Sequence, residues 1–453
     1  MANVIDSRCP GGGRNPYCAN CDCLLGIEGA HVVGATLGAA GRVVTVVTAP
    51  RLAGCLKCGV VAVGHGRLAV NLVDAPWAGI PTNIIWRKRR FRCAESKCPV
   101  VTFTEENRGI APSRALLTAR AARWAVGQMR RENASVRGLA RQMGTAWQTV
   151  WSAVEPILEA AADDESRFAG VEALGVDEHV WHHGDQRVRG SRYFTGMTDL
   201  TRHTDPKTGK KQVRARLLDL VGGRSGPVLG DWLKERGEQW RADVKVAAID
   251  PFQGYKNAID DHLEDATAVV DAFHIVKLAG KMVTDVRCRI QQETLGRRGR
   301  KGDPLYGIRN ALLAGEEHLT DRQHARIEAA IEADQRHRPV YLAWSAAQDI
   351  RSMFHLPTKE GRQMATQLLE WLHQSTVPEI KRLGITLRRW RKPLLAYFDT
   401  EGANNGGSEA INNLIELARR IARGNPTRSR YRLRTLLIAG GLDTVLYPQP
   451  TLK

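Results

Sequence analysis

Hydrophobic and polar positions change their period several times along the 453-residue chain. Residues 67–73 and 83–91 alternate apolar and polar positions, the period-2 pattern of half-buried strands, with Pro76 and Pro81 read as separating them. From 113 to 129 the spacing turns helical, carrying Leu116, Leu117, Ala121, Trp124, Ala125 and Met129. After residue 170 strands and helices alternate. Strands are predicted at 173–181, 192–200 and 215–221, then a helix at 226–240. A strand at 244–250 is stopped by Pro251, and another spans 267–276. Residues 277–392 are largely helical in pattern, and a last amphipathic helix follows the Asn/Gly stretch at 404–407.

Eight of the nine cysteines precede residue 100. No apolar run approaches the roughly 20 residues needed to span a bilayer. The small apolar residues between 24 and 53 are interrupted by Glu28, His31 and Arg42, and lack the form of a signal peptide. In a cytosolic chain, clustered cysteines favour metal over disulfides. Cys55-x-x-Cys58 and Cys93-x4-Cys98 supply four soft ligands for one structural Zn²⁺, on two knuckles carried by strands, which describes a zinc ribbon. Cys9, Cys18, Cys21 and Cys23 could form a second metal site, but Cys18-x-x-Cys21-x-Cys23 has only one familiar ribbon half, and reduced thiols are the plainer reading.

Charge adds a partner. The chain carries 66 Lys and Arg against 48 Asp and Glu, a formal charge of +18. Such an excess favours a polyanion, because neutralising phosphates releases counterions. Arg87, Lys88, Arg89 and Arg90 enter the second cysteine knuckle as a basic strand beside Trp86 and Phe91, a candidate DNA-backbone contact. Charge protection of an edge strand is the bland alternative. Beyond it, Ala140, Gly144 and Val150 stand at the offsets of a helix-turn-helix: a small residue at the crossing, glycine at the turn, an apolar residue burying the second helix. On that pattern Thr145 caps the recognition helix, Gln148 and Thr149 face outward toward DNA, and Trp147 and Trp151 are packing residues.

The strand pattern after residue 170 matches the opening of a ribonuclease-H-like fold. Asp177 lies within the first strand and Asp250 ends the fourth. Two acids on neighbouring strands need a third from elsewhere to hold two divalent ions for phosphodiester chemistry. Glu409 is the candidate. Ser408 is a plausible N-cap, and the helix is expected to bury Ile411, Leu414, Ile415, Ala418 and Ile421, leaving Glu409, Asn412, Asn413 and Glu416 on another face. An acid in a first helical turn also has an ordinary explanation in the helix dipole. Glu178 points to the opposite sheet face from Asp177 if the strand is regular. Asp271 and His274 are either supporting residues of the site or structural, and His182-His183 is a poor chelator.

The motifs RRFRC, TFTEE, GVDEHVW, VVDAFHIVKL and NNGGSEAINN, in this order with the cysteine knuckles and the helix-turn-helix, resemble the DDE transposases of bacterial insertion sequences, ISL3 branch. The resemblance implies element-end binding by the N-terminal module and strand transfer by Asp177, Asp250 and Glu409, holding two Mg²⁺ (or Mn²⁺) ions. Two departures stand out. The late motif of that branch commonly begins Ser-Asn, and a basic residue is frequent where Pro251-Phe252 follows the second acid here.

The expected architecture is multidomain α+β. It comprises an irregular extension (1–45), a zinc ribbon (46–108), a helix-turn-helix domain (109–165), a ribonuclease-H-like α/β catalytic domain (170–280 and 396–445) and a large helical insertion (281–395). The insertion carries basic clusters at 297–301 and 388–392 and is expected to hold DNA or a second subunit, with a solvated helical decoration as the bland alternative; Trp344, Trp371 and Trp390 are core candidates. Expected partners are double-stranded DNA, as element terminal inverted repeats and target, and a second copy in a homodimer or larger assembly. The expected location is the bacterial cytoplasm, on the nucleoid, with no membrane. Rival readings are a DNA-binding scaffold and a structure-specific nuclease or resolvase on the same fold.

Overall fold

Ala78 and Gly79 both take positive φ (52° and 75°), the backbone of a tight two-residue hairpin turn. Around that turn the computed structural model, which describes residues 17–181, 191–422 and 427–442, forms its longest strand pair. Strands β1 (His31–Gly38), β2 (Gly41–Val47), β3 (Val63–Trp77), β4 (Ile80–Arg92) and β5 (Thr102–Thr104) make one sheet in the order β1-β2-β4-β3, with β5 added to β4. Pro76 and Pro81 therefore lie inside the hairpin strands and do not separate them. The β3–β4 register shifts between Asp74 and Trp77, a bulge of the kind that tolerates proline.

The extension expected to be irregular (1–45) carries helix α1 (Ala19–Leu25), strand β1 and most of β2. Val44 and Val46 of β2 are buried with Leu72, Ile84 and Trp86. The polar interruptions sit where they disturb nothing: His31 Nδ1 is 2.7 Å from Asp22 Oδ2, and Arg42 lies over the Trp77 ring.

Helices α2 (Ala119–Arg131), α3 (Val136–Met143) and α4 (Trp147–Ala162) follow. Helix α2 starts later than its periodicity suggests. Leu116 is exposed, and Leu117 is buried beside Val73 in an extended bridge. Thr118 starts the helix by accepting the Ala121 N–H and donating to buried Asp74 at 2.6 Å. Ser135 caps α3, and Gly144 ends it at φ 66°. The N-cap of α4 is Ala146, without a side-chain bond, so Thr145 does not cap the helix: it stands one residue too early. Leu139, Ala140, Met143, Val150, Trp151 and Val154 are buried, as the helix-turn-helix spacing requires.

A helix over Arg428–Ala439 packs on α4. Buried Arg434 donates to the carbonyls of Asn133 and Ala134 between α2 and α3, and Arg430 lies over Trp147 and Trp151. By packing, residues 1–164 and 416–453 form one unit and residues 165–415 another. The end of the segment expected in the catalytic domain thus belongs with the N-terminal modules.

In the second unit, β6 (Ala173–Val180), β7 (Tyr193–Asp199), β10 (Arg216–Gly222), β11 (Val246–Ile249) and β12 (Thr267–Val270) form a sheet in the order β10-β7-β6-β11-β12; β8 (Arg202–Thr204) and β9 (Lys211–Val213) make a separate hairpin. β6, β11 and β12 are mutually parallel; β7 runs antiparallel beside β6, and β10, antiparallel to β7, again runs in the direction of β6. The helix expected at 226–240 is two, α5 (Gly226–Glu235) and α6 (Gly237–Asp243), parted at Gly237 with φ 78°. α7 (Gln253–His262) connects β11 to β12.

The strand expected to reach residue 276 stops at Val270. Asp271 accepts the His274 N–H and caps α8 (Ala272–Leu295). There follow α9 (Pro304–Gly307), α10 (Asp321–Glu332), α11 (Arg338–Ser352), α12 (Thr358–Trp371), α13 (Pro378–Arg389), α14 (Arg391–Asp399), α15 (Gly406–Ala422) and the Arg428–Ala439 helix, α16. The helices from α8 to α14 are not a detached decoration. One core runs from Leu174, Val176 and Ile249 through Val283 and Val286 to Trp344, Trp390 and Leu394. Trp371, expected in it, is exposed. Among the described residues no helix is long and apolar enough to cross a membrane.

Candidate active site and metal centres

Asp177 on β6 and the acid that follows β11, Asp250, are brought together by the parallel pairing of Val176 with Ile249. Both are 8% exposed. Burial first, and then the neighbouring Asp250 charge, push the Asp177 carboxyl up to about 7. Asp250 is also raised by burial, although His274 opposes the shift. Asp177 Oδ1 accepts the Glu178 N–H at 2.7 Å, and Oδ2 accepts Asn412 Nδ2 at 2.8 Å. Glu178 itself turns to an ion pair with Arg224.

The candidate third acid, Glu409, is carried on α15. Asn405, fully buried just before that helix, accounts for its seating. Its N–H donates to Asp271 Oδ1 at 2.9 Å and its Nδ2 to the Val176 carbonyl at 3.0 Å. Ser408 is the third residue of α15, buried inside its first turn, and is not its N-cap. The helix buries Ile411, Ile415 and Ala418, but Leu414 and Ile421 are exposed, contrary to expectation. Glycine is required at the seat: a Cβ on Gly175 would meet Ser408 Oγ, Leu200 Cδ1 at 2.6 Å and Asn405 Oδ1 at 2.7 Å. Gly175→Ala is therefore expected to cost about 1–3 kcal/mol of stability by overpacking, read as a lower urea midpoint at unchanged slope. A neutral midpoint would mean that α15 does not rest on β6.

Glu409 converges with Asp271 and His274, their ligand atoms lying within 4.8 Å of one another. His274 Nδ1 lies 3.1 Å from both Asp250 Oδ1 and Asp271 Oδ2, so the ring bridges Asp250 and Asp271. Burial works against charge on His274, yet the Asp271 and Asp250 carboxylates outweigh it and raise the ring above the usual range. Glu409 is raised by burial and by Asp271. Asp271 is itself buried, but its hydrogen bonds from His274 and Asn405 hold it below the ordinary range.

The four cysteines also converge. Cys55, Cys58, Cys93 and Cys98 sulfurs lie within 4.8 Å of one another. The Cys55–Cys98 and Cys58–Cys93 pairs stand at 3.7 and 3.5 Å. A tetrahedral Zn²⁺ with bonds of about 2.3 Å has sulfur–sulfur edges of about 3.8 Å, so the four thiols fit that ion. Backbone N–H groups of Cys58 and Lys57 pull the Cys55 thiol down to about 6, while burial and the neighbouring sulfurs push Cys93 and Cys98 up, as expected of thiols crowded into one site without a cation. Cys18 instead caps α1 by accepting the Cys21 N–H. Cys9 and His182-His183 lie outside the described residues.

The basic strand divides in two. Arg87 and Arg90 are exposed, and Lys88 lies over the Trp86 ring. Arg89 faces inward, where its guanidinium and backbone N–H hold buried Glu105 at 2.7–3.1 Å. In the helix-turn-helix, Gln148 is exposed while Thr145 and Thr149 are half-buried.

These acids stand on the segment that matches a known family. The model of the ISL3-type DDE family, described as a transposase, matches residues 174–435, and the chain belongs to that family. It is 26% identical over 330 residues, 68% of either chain, to the transposase for insertion sequence element IS1557 of Mycobacterium tuberculosis. It is 25% identical over 294 residues to the transposase for insertion sequence element IS1001 of Bordetella parapertussis, covering 65% of this chain and 67% of that one.

Proposed function

We propose that this transposase binds the ends of its insertion sequence and cuts and joins DNA through Asp177, Asp250 and Glu409, on a ribonuclease-H-like sheet. The observation that carries the reading is the pair of buried carboxylates on adjacent parallel strands, with α15 anchored against them by Asn405 and Asn412. The donor set fits Mg²⁺ or Mn²⁺. It is all oxygen, two of its members repel one another, and buried Asp250 Oδ1 has the His274 ring 3.1 Å away but no other partner of hydrogen-bonding geometry among the described residues. Two bound ions would activate the attacking oxygen and stabilise the leaving one. Asn412 and the Glu178 N–H orient Asp177 for this, and His274 fixes Asp250 relative to Asp271. Arg87, Lys88, Arg90 and Gln148 are the proposed DNA contacts; Arg89, Thr145 and Thr149 support them.

The test is an assay of purified protein with Mg²⁺ on duplexes from the DNA flanking its gene, scoring binding, cleavage and joining separately. All three are expected. Binding without cleavage would make the acids a scaffold, and cleavage without joining would make the protein a nuclease.

The pH dependence has a definite sign. Asp177 keeps, in the folded chain, a proton that the unfolded chain gives up between about pH 4 and 7. Metal-free stability therefore falls as pH rises through that window. Relative to Asp177→Asn, the wild type is expected to lose on the order of 1–3 kcal/mol between pH 4 and 8 without metal, and to regain stability when Mg²⁺ is added at pH 8. A difference that stays flat with pH in urea titrations would refute the shared-charge account.

A further inference from the structure

Helix α8 starts at the acids and ends at a basic loop that the catalytic site does not use. Asp271 caps its first turn and Leu295 is its last residue, so its 24 residues span about 36 Å at about 1.5 Å each. Beyond it the chain turns through Gly299 (φ 88°) and Gly302 (φ 100°). The turn is stapled, because Arg297 pairs with Asp303, which also accepts the Arg300 N–H at 2.6 Å. That staple leaves Arg298, Arg300 and Lys301 exposed, and their side chains make no ion pair among the described residues.

The solvent face of α8 joins the two ends. Phe273, Lys277, Lys281, Gln292 and Leu295 are exposed along it, all within about 100° of arc at 100° per residue. The acid beside this ridge, Asp285, is paired with Lys281 at 2.6 Å. A path thus runs from the carboxylates to three unpaired cations without crossing an unpaired acid on that face.

We infer that duplex DNA lies along α8, with Arg298, Arg300 and Lys301 holding phosphates about one helical turn from the scissile bond. One turn of duplex is about 34–36 Å, or 10–10.5 base pairs. The helix length therefore returns the same side of the DNA to the protein where the cations stand. A stapled loop is suited to this, since little conformational entropy is lost when it binds. The position relative to the scissile bond rests on the catalytic reading proposed above; the surface itself does not.

The experiment compares the full-length wild type with R298A/R300A/K301A, binding a 40-bp duplex across a salt series without Mg²⁺. Each phosphate that the protein no longer neutralises lowers the slope of log affinity against log salt by about 0.9, so a fall of about 2–3 is expected. The charge-conserving R298K/R300K variant should keep the wild-type slope. An unchanged slope in the triple variant overturns the inference. So does a loss of self-association with DNA binding intact, which would make the loop a contact between copies. Neutral methylphosphonates placed 10 and 11 steps from the mapped cleavage point test position. They should weaken the wild type but not the triple variant, and equal weakening of both would place the loop elsewhere. A slope change in a protein that never cleaves would instead sink the catalytic reading and leave the surface standing.

Discussion

Glu409→Gln is expected to abolish cleavage and joining while leaving end binding at its wild-type level. Glutamine keeps the shape of the side chain and the α15 helix, but it removes the charge that a divalent ion requires. Losing an outer-shell partner of a metal site costs roughly 10–100-fold, and a direct ligand should cost more than that. The arrangement of α15 makes the test clean. Its seat depends on Asn405, Asn412 and the space above Gly175, and Glu409 takes no part in it. Without metal at neutral pH the variant should therefore unfold at the same or a slightly higher urea concentration than the wild type, because burial and Asp271 disfavour the Glu409 charge. Parallel titration of Mg²⁺ against stability at pH 8 supplies a second readout, in which the variant should show a weakened metal-dependent gain. Full strand transfer by the variant would remove Glu409 from the triad and turn attention to Asp271, which converges with it and with His274.

The strand acids were the legible part of this site. Asp177 sits in an apolar run with strand period and Asp250 ends a run that Pro251 must stop, so their neighbourhood follows once the two strands pair. The seat of Glu409 was less legible, because it is made of backbone. Asn405 works by reaching a carbonyl on β6, and Gly175 by having no side chain, and neither contact leaves a periodic trace. Asp271 was misread for a related reason. The run Ala268-Val269-Val270 continues through Ala272, Phe273, Ile275 and Val276 without a change in hydrophobicity, and apolar runs do not by themselves distinguish strand from buried helix. The side chain of Asp271 decides it by capping α8. Near the N-terminus, small residues and scattered charges concealed two strands whose apolar positions, Val44 and Val46, are few but buried. The cysteine knuckles were legible because four ligands with fixed spacing leave few alternatives.

If Cys55, Cys58, Cys93 and Cys98 hold a structural Zn²⁺, as their spacing fits, removing it is expected to melt one end of the N-terminal sheet and spare the other. The β3–β4 hairpin is unevenly buried: residues 63–69 of β3 are exposed, whereas Leu72, Asp74, Ile84 and Trp86 lie in or beside the core. At the exposed end the cysteine cluster and the short strand β5 hold the chain, with Phe91 against Phe103 as the main apolar contact there. Structural zinc in small finger domains supplies about 10–16 kcal/mol of apparent binding free energy at neutral pH, far more than one aromatic pair of about 0.5–1.5 kcal/mol. Chelation, or Cys93→Ser, should therefore abolish amide protection across 55–68 and 88–103 and leave it across 70–74 and 82–86. Metal content should fall by one zinc per chain. Because Arg87, Lys88 and Arg90 stand on the strand that frays, the salt slope of DNA binding should drop as well, by about 0.9 for each phosphate that the frayed strand releases. Chelated protein with an unchanged exchange pattern would show that the four sulfurs meet without a metal's help, and the basic strand would then owe its order to Glu105, which holds Arg89 from the opposite side.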